Sequence, residues 1–241
     1  MTIKKHIPNG ITLLNLLCGC IALTFVVKEQ FEIAFYLVCL GIFLDFFDGF
    51  FARLFKVSSP LGLQLDSLAD MVTSGIVPGL VMYYMMLSSF GTTNTAGFGQ
   101  AHLLSLLGFV ITLGSCYRLA NFNIDTRQTD SFIGLPTPAN ALFVLSLPLV
   151  LHYSDSIIVL EILTNYWVLL LIAVASAVVL NAEIPLFSLK IKKLSWKDNT
   201  FQIGFLSFSV LLLVFFQFLG IPLVIITYVL LSLLHNRYFK A

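Results

Sequence analysis

Apolar runs long enough to cross a bilayer recur along nearly the whole chain, and they restrict its fold before any motif is considered. A transmembrane helix needs about 17–25 mostly apolar residues. Helices of this kind are expected near 10–27, 32–55, 65–88, 101–121, 138–153, 164–183, 200–218 and 220–236. The fifth is the shortest. The last two are parted only by Gly220-Ile221-Pro222, which suits a tight turn or a kink. The expected fold is therefore an all-α, polytopic transmembrane helix bundle of about eight spans, within a range of six to eight. At 59% hydrophobic and 10% charged residues, with mean hydropathy +0.97, the chain lies outside the usual composition of a soluble domain. No internal repeat or low-complexity linker divides it, so residues 1–241 read as one membrane-embedded domain.

Charge settles the rest of the frame. A formal net charge of +1 and the lack of a long basic run argue against nucleic acid as a partner. If both termini share one side, that side holds twelve of the thirteen Lys and Arg residues and the other only Lys28. The positive-inside rule then places both termini in the cytoplasm, which favours an even number of spans in the cell's cytoplasmic membrane. The uncharged stretch 89–100 is expected outside. Lys4 and Lys5 ahead of Leu17-Cys18-Gly19-Cys20 superficially resemble a lipoprotein signal, but the chain goes on crossing the membrane, so the run reads as a first transmembrane helix. Cys18, Cys20, Cys39 and Cys116 show no C-x-x-C spacing and read as small hydrophobes. His6, His102, His152 and His235 show no metal-ligand spacing and read as interfacial polar residues. Residues 186–198 mix four lysines with Phe187, Ile191, Leu194 and Trp196, as suits a segment lying on anionic headgroups.

Against this apolar background stands Asp45 to Asp70, which holds four of the twelve acidic residues. Asp45 and Asp48 are three apart, and Asp66 and Asp70 are four apart, so on helices each pair shares a face. A charge at membrane depth costs about 2.5–3.5 kcal/mol on insertion scales. Four carboxylates so close would also repel one another, and a pair of divalent cations between facing helices is the economical remedy. Asp48 lies eight residues before Lys56 and Asp66 eight after Ser58. At 1.5 Å per residue both reach about 12 Å below one surface, on adjacent antiparallel helices. Gly49 and Gly62 each weaken a helix by about 1 kcal/mol relative to alanine. Close helix packing explains them, and with Ala52 they also offer a smooth wall for a nucleotide. Arg53, one turn beyond Gly49, can hydrogen-bond phosphate in a bidentate fashion. Gly75, Pro78 and Gly79 are expected to bend the third helix, with packing as their main use. Asn15 is a buried polar group that needs a partner.

Asp45, Asp48, Gly49, Ala52, Arg53, Gly62, Asp66 and Asp70 match without a gap the D-x2-D-G-x2-A-R-x8-G-x3-D-x3-D signature, and on them the chain is identified as a member of the CDP-alcohol phosphatidyltransferase family. The resemblance implies that Asp45, Asp48, Asp66 and Asp70 ligate two divalent cations, Mg2+ or Mn2+, with Asp45 and Asp66 bridging. It makes Asp70 the candidate catalytic base and gives the CDP moiety to the segment with Gly49, Ala52, Arg53 and Gly62. The opening Pro8-Asn9-Gly10-Ile11-Thr12 also resembles relatives in which this segment lies near the nucleotide, which brings in Asn9 and Thr12; for Asn9 a helix N-cap is the plainer reading. Two further stretches, Arg118-Leu119-Ala120-Asn121-Phe122-Asn123 and Gly134-Leu135-Pro136-Thr137-Pro138, resemble the R-L-A-R-F-N and G-L-P-T-P-A segments of the bacterial phosphatidylserine synthase branch. Asn121 stands in place of the second arginine. The acceptor would then be held by Arg118 with Asn121 and Asn123, although a positive-inside anchor also explains Arg118.

The resemblance thus implies transfer of a phosphatidyl group from CDP-diacylglycerol to L-serine, in contact with membrane lipids, by an enzyme whose relatives are commonly homodimers. Other acceptors, glycerol 3-phosphate, inositol or inositol phosphate, use the same chemistry. An acceptor with a second phosphate needs extra basic residues, and near the site only Arg118 and Arg127 stand beyond Arg53 and Lys56. A cation-coupled transporter is an alternative of another class, but it predicts an inverted repeat that the sequence lacks. A scaffolding protein gives no reason for four acids at depth.

Overall fold

The computed structural model describes residues 3–57, 59–91, 98–125, 133–187 and 199–239. Among these the chain is helical, with one isolated bridge between Ile133 and Pro185. Helix α1 spans Ile3–Val27 and α2 Phe31–Phe55, packed side by side as an antiparallel pair. The first helix begins seven residues before the expected start at 10 and runs through Pro8, so Asn9 is an interior helical residue and not its cap.

Between α2 and α3 (Pro60–Asp70) lies a short turn with explicit stop and start signals. Lys56 adopts the left-handed conformation and its N–H reaches Ala52 and Arg53 carbonyls, closing α2. Ser59 Oγ then accepts from Gly62 N at 3.0 Å, and Pro60 occupies the first turn, where its missing N–H is not needed. The helix consequently starts five residues ahead of the apolar run read from the sequence.

A π-helical turn, Met71–Ile76, joins α3 to α4 (Val77–Ser89). Pro78 has no N–H to give the turn before it, and Val77 N–H reaches back to the Val72 carbonyl. Thr112 Oγ1 donates to the Gly75 carbonyl at 2.9 Å. The bend expected from Gly75, Pro78 and Gly79 is thus a local widening of one helix. Pro60–Ser89 is the central helix of the bundle: 67% of its most apolar window is buried, against 11% for Thr200–Leu234. Val77, Val81, Met82 and Met86 of α4 meet Ile111, Val144, Leu145 and Leu169 in the core.

Around it run α5 (Gln100–Ser105), α6 (Val110–Ile124), α7 (Thr137–Tyr153), α8 (Ile157–Leu163) and α9 (Tyr166–Asn181). The short α8 was not legible in the sequence. It meets α9 at 69°. A Cβ on Gly114 would lie 2.9 Å from Ala177 Cα, so α6 and α9 touch through small residues. Helices α10 (Thr200–Phe216) and α11 (Gly220–Phe239) fold back on each other: the rings of Phe205 and Tyr228 are 5.6 Å apart, and Gln217 takes φ 48° at the turn. The turn therefore precedes Gly220, and Pro222 sits in the first turn of α11.

Length and apolarity alone give five stretches able to cross a membrane, six with the bent pair. One of the five, Thr200–Leu234, is the hairpin; the count reaches eight only if both of its arms and the 17-residue α7 also cross. Arg127 and most of 186–198 lie outside the described residues.

Candidate active site

Helices α2 and α3 bring acids from both pairs into one cluster. Carboxylate oxygens of Asp45, Asp48 and Asp66 lie within 4.8 Å of one another. Asp48 is buried, while Asp45 and Asp66 are half-buried. Asp70, one turn deeper than Asp66, is also buried, and its Oδ1 accepts from Asn15 Nδ2 at 3.2 Å. Thr12 Oγ1 donates to Asp48 Oδ2 at 2.5 Å, with the Pro8 carbonyl 3.0 Å away on its other side. One face of α1 therefore contacts an acid from each pair, through residues three apart.

Three converging carboxylates in an apolar bundle are self-repelling, and an oxygen-only donor set of this size suits a hard divalent cation of the Mg2+ or Mn2+ type. The residues fit such an ion. Arg53 is exposed and near enough to act on Asp48 electrostatically, but one peripheral cation does not neutralise the group.

Beside the acids lies a cavity of about 680 Å³. Asn9, Thr12, Gly49, Ala52, Arg53 and Gly62 all line it together with Asp45, Asp48 and Asp66. The glycines have visible uses. A Cβ on Gly49 would stand 3.5 Å from Arg53 Nη1, so the guanidinium folds back over bare backbone. One on Gly62 would come within 3.2 Å of Asn9 Oδ1 and Ser59 Oγ, where α3 meets α1 and its own cap. Phe46, Leu61 and Leu63, exposed apolar residues, form the cavity's other wall, and His6, which the sequence placed only at the interface, also lines it. Next to the polar side chains there is thus an exposed apolar flank.

Arg118 on α6 lies near enough to Asp70 to act on it electrostatically. It is buried, its guanidinium lies 5.8 Å from the Phe122 ring centre, and its Nε and Nη2 have no hydrogen-bond partner among the described residues. Asn123 is engaged elsewhere: its Nδ2 donates to Ser67 Oγ at 2.9 Å, tying α6 to α3. Asn121 is exposed. Of the three residues expected at the acceptor, only Arg118 combines burial with free donors.

The CDP-alcohol phosphatidyltransferase family matches residues 5–179. The chain belongs to that family. Its relatives include proteins named CDP-diacylglycerol–serine O-phosphatidyltransferase from Helicobacter pylori strain J99 (36% identical over 139 residues, 57% of this chain and 54% of the relative). Others are from Bacillus subtilis strain 168 (35% over 134 residues, 56% and 70%) and Saccharomyces cerevisiae (31% over 158 residues, 59% and 53%). The chain spans about half the length of the H. pylori and yeast relatives it matches. The family match takes in nearly all of α1 through most of α9, hence the four site aspartates and Arg118; the α10–α11 hairpin lies beyond it.

Proposed function

We propose that this phosphatidyltransferase moves the phosphatidyl group of CDP-diacylglycerol onto the hydroxyl of L-serine, forming phosphatidylserine and releasing CMP. Family membership and relatives named for serine support the reaction class. The observation that carries the choice of serine is the buried Arg118 guanidinium beside Asp70, with two donor atoms unpaired. A planar cation with open N–H groups matches a carboxylate in geometry and charge. The acceptor's carboxylate on Arg118 brings its hydroxyl toward Asp70 on the neighbouring helix.

The donor's cytidine and pyrophosphate lie in the cavity against Gly49 and Ala52, with Arg53 on phosphate. The acyl chains leave past Phe46, Leu61 and Leu63. Bound divalent cations at Asp45, Asp48, Asp66 and Asp70 would supply charge stabilisation for the pyrophosphate and the departing CMP. The serine oxygen bonds to the β-phosphorus as the bond to the CMP oxygen breaks, and Asp70 receives the hydroxyl proton. Alignment of a lipid donor and a water-borne acceptor in one pocket supplies the rest. The basic-residue excess supports a cavity mouth on the cytoplasmic side.

The decisive test is CMP release from CDP-diacylglycerol by the purified protein with Mn2+ or Mg2+ and one alcohol at a time. L-Serine is expected to drive release, and glycerol 3-phosphate and inositol to leave it at background. Equal release with either of those alcohols would overturn the serine assignment; no release with any would overturn the reaction.

A further inference from the structure

Asn15 is a buried polar side chain of the acid site that the reaction leaves without a role. It is fully buried, on α1 at the junction of three helices. Thr73 Oγ1 donates to its backbone carbonyl at 3.2 Å. A Cβ on Gly41 of α2 would lie 2.8 Å from its Oδ1, so α2 closes directly over the amide. A Cβ on Gly19 would lie 2.6 Å from Thr73 Oγ1, so α1 and the π-helical turn are equally close. Asp70 and α2 thus confine the amide, and Thr73 holds the backbone behind it.

The amide has one workable orientation. Nδ2 donates to Asp70 Oδ1, and Oδ1 has no partner. Turning it over would set oxygen against carboxylate oxygen and lose the bond. Burying an unpaired carbonyl is unfavourable, and leucine in this apolar helix would avoid it. What leucine lacks is the N–H that meets Asp70. The acid itself sits where the backbone changes: the α-helical turns end at Asp70 and the π-helical turn begins at Met71. A lateral hydrogen bond at this junction ties the carboxylate to α1.

We propose that Asn15 is a positioning residue of the acid site: by holding Asp70 Oδ1, it orients the carboxylate so that Oδ2 serves the cation and the acceptor proton. This rests on the family reading of the four acids. It makes α1 the reference element of the site, since Thr12 holds Asp48 of one acidic pair as Asn15 holds Asp70 of the other. Partners that orient metal-binding side chains typically change affinity by about 10–100-fold when removed.

The test measures Mn2+ binding directly, by the loss of the free-ion electron paramagnetic resonance signal, alongside CMP release, in full-length protein. Asn15→Leu and the smaller Asn15→Ala remove the donor. Thr73→Val loosens the same junction while leaving the Asn15–Asp70 bond. Expected are a rise of about tenfold or more in the Mn2+ dissociation constant and a fall in kcat for both Asn15 variants, with KM for CDP-diacylglycerol within about twofold of wild type. Thr73→Val is expected to bind Mn2+ as wild type does. If whichever Asn15 variant folds binds Mn2+ and turns over like wild type, the positioning role is overturned and the family reading stands. A Thr73→Val protein as impaired as the Asn15 variants reduces Asn15 to packing. The same conclusion holds if neither Asn15 variant folds while Thr73→Val does. A wild type that binds no Mn2+ overturns the reading of the acids and this proposal with it.

Discussion

At the scale of single residues, the acids were legible because helical periodicity needs no knowledge of the fold: spacings of three and four put each pair on one face wherever the helix packs. What holds those acids was not legible. Thr12 and Asn15 sit in an apolar run, and nothing in the run says that this face of α1 lies across both α2 and α3. Two predictions belong here. Thr12→Val removes a donor to Asp48, a hydrogen bond to a charged group worth about 1.5–3 kcal/mol. It should lower kcat/KM for CMP release roughly 10- to 150-fold, with Thr12→Ser recovering most of the loss. Asp70→Asn keeps the size of the side chain and can still meet Asn15 through its oxygen, but cannot receive the hydroxyl proton. Turnover should fall to background while the folded yield and thermal midpoint stay near wild type. Wild-type-like turnover would remove Asp70 as base.

At the scale of elements, boundaries were where sequence and structure parted. Apolar runs locate the buried middle of a helix, whereas its ends are set by local chemistry: the Ser59 cap with Pro60 starts α3 five residues before its apolar run, and α1 simply continues through Pro8. The π-helical turn shows the same limit. Pro78 announces a disturbance, but its form depends on Thr112 arriving from α6 to serve the Gly75 carbonyl. A Cβ on Gly79 would collide with that same threonine side chain, so glycine makes room for the hydroxyl that repairs the break. Thr112→Val keeps the volume and deletes the donor. Leaving a buried carbonyl unserved costs about 1–3 kcal/mol, so the variant should unfold at lower temperature or denaturant in detergent. Thr112→Ser should restore wild-type stability, and a Val variant as stable as wild type would show that the widened turn needs no partner.

For the whole molecule, the bundle explains where the site can be but leaves its facing to the distribution of charge. Asp45, Asp48 and Asp66 cluster at the end of the α2–α3 hairpin that carries Arg53 and Lys56, while Glu29 and Glu32 mark the opposite end beside Lys28. With both termini on one side, as expected from the sequence, twelve of the thirteen basic residues fall on the acid-cluster side. Insertion follows Lys and Arg and is little affected by Asp and Glu, so the four aspartates do not offset the bias. The cavity should therefore open to the cytoplasm, where a water-soluble amino acid and released CMP can exchange with it. In a variant whose four cysteines are replaced by alanine, single cysteines at Lys56 and at Thr93 report the two faces. A membrane-impermeant maleimide should label Thr93→Cys in intact cells and Lys56→Cys only after permeabilisation. The reverse pattern would turn the site outward, and the proposed use of cytoplasmic serine would then lack a route to Arg118.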